Sequence, residues 1–217
     1  MGSTDTMALL GNSFIELAEH LPIQKISVSD IVAASGKNRK TFYYHFEGKE
    51  SLIRWIFRRD LADVLNQRIP PEELVYEAEG PQTYPTLPYY VCRKVGVRSL
   101  NGSVFLEMLA TCFSQRRQFY AKILRISGPD SLQTYLKQLY TTALAQDVRF
   151  TLSNRYLAEG NIRFLSEFYA GALVTYIVDK VCDPTCQEIL ADVKPFQNIV
   201  HSSLESEIKK QQPKRVL

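Results

Sequence analysis

The sequence predicts an all-α protein: an N-terminal three-helix head containing a helix-turn-helix, joined by a long fourth helix to a larger helical body. Three observations predict it. Apolar residues recur at spacings of three and four along most of the chain, and no stretch sustains the two-residue alternation of a strand. Helix start and stop chemistry is written out between residues 26 and 52. Five of the ten prolines, Pro70, Pro71, Pro81, Pro85 and Pro88, crowd between residues 70 and 88 and divide the helical pattern in two.

The first helix spans 5–20, with Leu10, Phe14, Leu17 and Leu21 on one face, and stops at Pro22. The second, 28–35, opens on a capping box in which Ser27 accepts from the Asp30 amide and Asp30 reaches back. Ile26 and Ile31 occupy the two staple positions, and Ile31 and Ala34 continue the buried face. Gly36 supplies the left-handed backbone that leaves the helix. Asn38 caps the third helix, whose Phe42 and Phe46 face inward. The fourth, 49–66, carries a wide apolar stripe of Leu52, Ile53, Ile56, Phe57, Leu61 and Val64 or Leu65. After the proline-rich break, with one short helix near 72–77, helices are expected over 87–99, 104–125 with a break near Ser114, 130–146, 156–181 and 185–210. The domains are therefore 1–50 for the head, with the fourth helix as connector, and 67–217 for the body.

Composition narrows the function classes. A chain of 217 residues that is 45% hydrophobic and 23% charged buries a sizeable core in one or two domains. No apolar run reaches membrane-spanning length, and the N-terminus lacks a basic segment followed by an apolar one, so a cytoplasmic protein is expected. Cys92, Cys112, Cys182 and Cys186 are then reduced thiols. Cys182 and Cys186 lack a second pair, so no metal is expected. His20, His45 and His201 are scattered and no catalytic constellation accompanies them, so no enzyme and no cofactor are expected.

The formal net charge of +3 says little, but its distribution says more. From residue 37 to 59 there are seven cations, Lys37, Arg39, Lys40, Lys49, Arg54, Arg58 and Arg59, against Glu47 and Glu50. Arg39 and Lys40 lie in the first turn of the third helix, where the macrodipole is already positive. That conflict resolves if an anion binds there. With Phe42 and Phe46 inward, Arg39, Lys40, Thr41, Tyr43, Tyr44 and His45 remain for the outer faces, as in a helix that reads the DNA major groove.

The run Ile26-Ser27-Val28, Ser35-Gly36, Thr41-Phe42-Tyr43-Tyr44-His45-Phe46 and Lys49 resembles the signature of the tetracycline-repressor (TetR) family of bacterial transcription regulators, over roughly residues 8 to 60. The resemblance implies double-stranded DNA as partner and a binding set of Ser29, Asn38, Arg39, Lys40, Thr41, Tyr43, Tyr44, His45 and Lys49. Within it, Arg39 and Lys40 match positions that face base edges and neighbouring phosphates. Tyr43 and Lys49 match positions that hold the DNA backbone. Arg39 is the candidate for a bidentate guanine contact, and Tyr43, His45 and Lys49 position the duplex. Two departures stand out: Lys37 occupies an ordinarily apolar turn position, and Lys40 one where a small residue is common.

One such helix reads few bases, so a homodimer on a near-palindromic operator is expected. Leu165, Phe168, Ala172 and Tyr176 form one candidate interface stripe, and Ile189, Val193, Phe196, Val200 and Leu204 the other. The resemblance implies a four-helix interface there and an apolar effector pocket in the central helices. Tyr90, Phe105, Met108, Cys112, Tyr120, Tyr140 and Tyr169 are the pocket candidates. None of them is an acidic or basic side chain, so an apolar or aromatic small-molecule effector is expected. The expected function is a ligand-responsive repressor. The alternatives are control by a protein partner and an activating sense.

Overall fold

α1 (Ser3–His20) buries Leu10, Phe14 and Ala18 at intervals of four, with Phe14 edge-on to Phe119 of the body at 5.9 Å, and it crosses α4 (Lys49–Arg68) at Gly11. Gly11 permits the close crossing, since a Cβ there would lie 3.0 Å from Trp55 Cζ3 and 3.2 Å from Ile56 Cγ1. The computed structural model describes residues 3–96, 99–152 and 156–190. Between α1 and α4 stand α2 (Val28–Ala34) and α3 (Arg39–His45), the two arms of the helix-turn-helix. The predicted α1 stripe is shorter than its spacing suggested: Leu17 is half-buried and Leu21 exposed, because the chain turns away at Pro22. On α2 the buried face runs through Ile31, Val32 and Ser35, not Ala34.

α4 is 20 residues long, about 30 Å. Its buried face contains Leu52, Ile53, Ile56, Phe57, Leu61, Val64 and Leu65, as the sequence predicts, and also Arg58 and Asp60, which it does not. The body follows as α5 (Ser103–Gln115), α6 (Arg117–Leu124), α7 (Leu132–Leu152) and α8 (Glu159–Cys182). The break expected near Ser114 falls at Arg116, which separates α5 from α6.

The fold is mostly helical, with one local exception. The helices expected over 72–77 and 87–99 are absent. A single 3-10 turn at Pro71–Glu73 leads into β1 (Leu74–Val75), which pairs antiparallel with β2 (Tyr90–Val91). β3 (Lys94–Gly96) pairs with β4 (Ser99–Leu100). Pro88 has no N–H and biases its predecessor toward extended backbone. The β-favouring Tyr89, Tyr90 and Val91 then find partners, with the Tyr89 N–H donating to Val75 O at 2.9 Å and the Cys92 N–H to Glu73 O at 2.9 Å. Residues 185–190, expected to open the last helix, form turns, and the rest of that helix lies outside the described residues.

One buried cluster runs from Leu10 in α1 through α4, α5, α6 and α7 to Val181 in α8 and Ile189, so head and body share a core. A second cluster, Val148, Leu152, Leu157, Ile162, Leu165 and Tyr169, lies mainly between α7 and α8.

Candidate nucleic-acid interface

The local chemistry of residues 26–49 builds the site. Ser27 Oγ accepts from the Asp30 N–H at 3.3 Å, and Asp30 Oδ2 accepts from the Ser27 N–H at 2.8 Å, which completes the capping box. The Ser27 hydroxyl and amide hold the Asp30 carboxyl below its usual range. Gly36 turns the chain at φ +64°, with nothing within 4 Å of a Cβ, so backbone conformation is what requires glycine there. Asn38 Oδ1 then accepts from the Thr41 N–H at 2.8 Å and from its hydroxyl at 3.1 Å. Phe42 and Phe46 are buried and seat α3, with Phe46 packed edge-on to Trp55 at 6.0 Å.

With those rings inward, α3 turns Arg39, Lys40, Tyr43 and Tyr44 to solvent. Tyr43 is 57% exposed and Tyr44 82%, large apolar areas that a lone domain has no reason to display. Arg39 donates to Ser29 Oγ, which joins the two helices of the motif on this face. His45 is half-buried, its ring edge-on to Tyr44 at 4.9 Å. Asn38 and Thr41 lie at the same end of α3, with the Thr41 hydroxyl engaged by the cap.

The basic character of the segment is more local than a charge count suggests. Arg54 pairs with Asp130 at 3.2 Å, Arg58 with Glu77, and Arg59 with Asp60 at 3.1 Å. Lys49 Nζ donates to Ile23 O at 2.8 Å and Ile26 O at 3.0 Å, tying the start of α4 to the approach to α2. The charge on the outer face of α3 itself comes from Arg39 and Lys40.

Residues 15–56 match the family model described as bacterial regulatory proteins, tetR family, and residues 103–202 match the one described as transcriptional regulator C-terminal region. The chain belongs to the TetR family. As a TetR-family chain it is a DNA-binding transcriptional regulator. The HTH-type dhaKLM operon transcriptional activator DhaS of Lactococcus lactis subsp. lactis (strain IL1403) is 36% identical over 61 residues, 28% of this chain. The match spans about a third of that protein's length, 33%. A solved structure of the dihydroxyacetone kinase operon activator DhaS shares the fold at a TM-score of 0.50, with 18% identity over 96% of this chain and 98% of that one. No helix among the described residues of this TetR-family chain is long and apolar enough to cross a membrane.

The body distributes its predicted residues unevenly. Tyr90, Phe105 and Tyr140 come together, with ring centroids at 4.3 and 5.1 Å, and all three are buried. Met108, Cys112 and Tyr120 belong to the same core, whereas Tyr169 lies in the α7–α8 cluster. These seven residues therefore do not line one space. A cleft of about 570 Å³ lies elsewhere, between α1 and the α5–α6 break, against Ile15, Glu19, Arg116, Phe119 and Lys122.

Of the interface candidates on α8, Leu165 is buried against α7, while Phe168 is 58% exposed and stacks at 6.1 Å on Phe164, itself 63% exposed. Two apolar seams run side by side on α8, and spacing alone joined a residue of the inner one to the outer one. Ala172 and Tyr176 are half-buried. Ile189 is buried in the main core rather than on an outward stripe. Val193, Phe196, Val200 and Leu204 lie outside the described residues.

Two buried polar groups were missed altogether. Asp60 accepts from Arg116 Nη1 at 2.6 Å and the Tyr120 hydroxyl at 2.8 Å, and Arg58 donates to Glu77, the Tyr135 hydroxyl and the Leu87 carbonyl. The sequence does carry a signal for one of them. Asp60 falls four residues after Ile56 and four before Val64, a charge inside an apolar stripe, and such a charge needs partners.

Proposed function

We propose that this chain regulates transcription as a twofold dimer on a near-palindromic duplex, with α3 of each protomer in the major groove. The observation that carries the reading is the outer face of α3: Arg39, Lys40, Tyr43 and Tyr44 exposed together, opposite a fully seated Phe42. Arg39, oriented by Ser29, reads a base edge, while Lys40, Tyr43, His45 and Lys49 hold the backbone. The seam of exposed Phe164 and Phe168 and half-buried Ala172 on α8 supplies the dimer surface. The domains divide at the proline-rich segment, 1–50 reading DNA and 67–217 dimerising and sensing, in the cytoplasm.

An aromatic effector remains the first regulatory reading. The Tyr140 hydroxyl is buried in the aromatic core without a hydrogen-bond partner, and an acceptor group on such a ligand would give it one. A second reading, control by a protein partner and an activating sense, is favoured by the ring-on-ring packing of Tyr90, Phe105 and Tyr140 and by a relative whose name calls it an activator.

The DNA reading is tested with duplexes selected from a random-sequence pool. Arg39→Ala is expected to lower affinity for the selected duplex by about 10-fold or more and for a scrambled duplex much less, since a bidentate base contact is worth about 1–3 kcal/mol of discrimination. Equal losses on both duplexes would remove Arg39 from base reading.

A further inference from the structure

The head is joined to the body by α4, but a second connection crosses beside it. Residues 76–88, between β1 and β2, fold back along α4 toward the base of the recognition helix. At its root Arg58 donates to the Glu77 carboxylate and to the Leu87 carbonyl, and lies over the rings of Tyr84 and Tyr89 at 5.4 and 5.2 Å. Midway, the Tyr84 hydroxyl donates to Ser51 O at 3.3 Å in the first turn of α4. At its tip both ends of one amide are engaged. Gln82 Nε2 donates to Glu47 Oε2 at 2.6 Å, and Gln82 Oε1 accepts from Arg54 Nη1 at 3.2 Å. Glu47 stands in the turn between α3 and α4. Arg54 also donates to the carboxylate and carbonyl of Asp130, before α7, so this tip joins the strap, α4 and the body.

Gln82 has a φ of 58°, the left-handed region that a side chain other than glycine, asparagine or aspartate rarely adopts. It follows Pro81 at the third position of the Gly80–Thr83 turn, a position where glycine or asparagine is the usual occupant of positive φ. Among the described residues it is the non-glycine position with positive φ. The turn closes on itself through the Thr83 N–H and hydroxyl, which donate to Gly80 O at 3.4 and 2.9 Å, and so presents the Gln82 amide to Glu47 and Arg54.

We propose that the 76–88 segment is a strap that fixes the pose of the recognition helix on the body, with Gln82 as the positioning residue that couples them through Glu47. The proposal rests on α3 being the DNA-reading element. It means that a rearrangement of the body reaches α3 not only along α4 and through the packing of α1 on α6 but also directly, across the Gln82–Glu47 bond.

Two variants separate contact from loop stability. Gln82→Ala loses the amide and keeps the strained backbone, whereas Gln82→Gly loses the amide and relaxes it. In the full chain, hydrogen exchange of amides 39–52 is expected to quicken about fivefold in both variants, the effect of one lost hydrogen bond, with amides 105–113 of α5 unchanged as an internal control. Affinity for a selected duplex is expected to fall by a similar factor. In a Glu47→Ala background neither Gln82 variant is expected to add anything further.

Unchanged exchange in 39–52 overturns the proposal. So do additive effects of positions 82 and 47, or faster exchange with unchanged duplex affinity. If the wild-type chain selects no duplex, it is the DNA reading that has failed, and the exchange cycle alone decides the strap.

Discussion

Asp147 is a residue whose chemistry departs from its sequence context. It lies on α7 in an amphipathic stretch and reads as an ordinary solvated carboxylate. Burial raises its pKa from 3.8 to about 6, and the bond accepted from the Tyr90 hydroxyl at 2.6 Å opposes that rise only in part. Between those two values the folded state holds a proton that the unfolded state has released. The Asp147 contribution to stability therefore falls as pH rises through the window, and stays lower above it. Asp147→Asn keeps an acceptor for Tyr90 and removes the charge. It is expected to melt higher than wild type at pH 7.5, by an amount of order 1–3 kcal/mol, and to lose that advantage below about pH 4. Thermal melts of both proteins across this range measure it, and a difference that does not vary with pH would count against a buried charge.

Elements meet at Lys49. Its ammonium is the first-turn group of α4 and accepts the role of a cap for two carbonyls that precede α2, at Ile23 and Ile26. The residue thus sets how α2 and α3 are presented from α4, whatever it also gives a phosphate. Lys49→Met keeps the stem and loses the charge. It is expected to cost about 1–2 kcal/mol of stability, because two carbonyls lose a charged donor. It is also expected to weaken binding to selected and scrambled duplexes alike, by several-fold. A melting curve beside a gel-shift series checks both parts. Lost affinity with unchanged melting would mean that the ammonium serves DNA alone.

At the scale of the whole molecule, the exposed seam on α8 is the feature a single protomer leaves unexplained. Phe164 and Phe168 stack on each other in solvent, and the half-buried Gly171 and Ala172 follow them at helical spacing. Phe168→Glu places a charge on that seam without entering the core. The expected outcome is a shift from dimer to monomer in sedimentation at micromolar concentration, with the helical circular-dichroism spectrum retained. Specific duplex binding is expected to fall with the dimer, since one α3 spans a single half-site. A monomeric wild type, or a variant that stays dimeric, would take this seam out of the interface.

Local chemistry between residues 26 and 49 determined the head from sequence alone. The Ser27–Asp30 box, Gly36 and the Asn38 cap each act within a few residues, so their consequences are fixed before any tertiary contact forms, and the Phe42–Phe46 spacing names the face of α3 that must pack. The long helices of the body follow from periodicity in the same way. What only the tertiary structure decided depends on residues far apart in the chain. Pairing with Leu74 and Val75 made Tyr90 and Val91 a strand, and packing on α7 drew Leu165 off the exposed seam. Asp130, Glu77 and Asp60 took Arg54, Arg58 and Arg59, in that order, away from the apparent basic face. Charge and spacing are local quantities. Which partner neutralises a charge, and which of two adjacent apolar seams is covered, are set by the path of the chain through space.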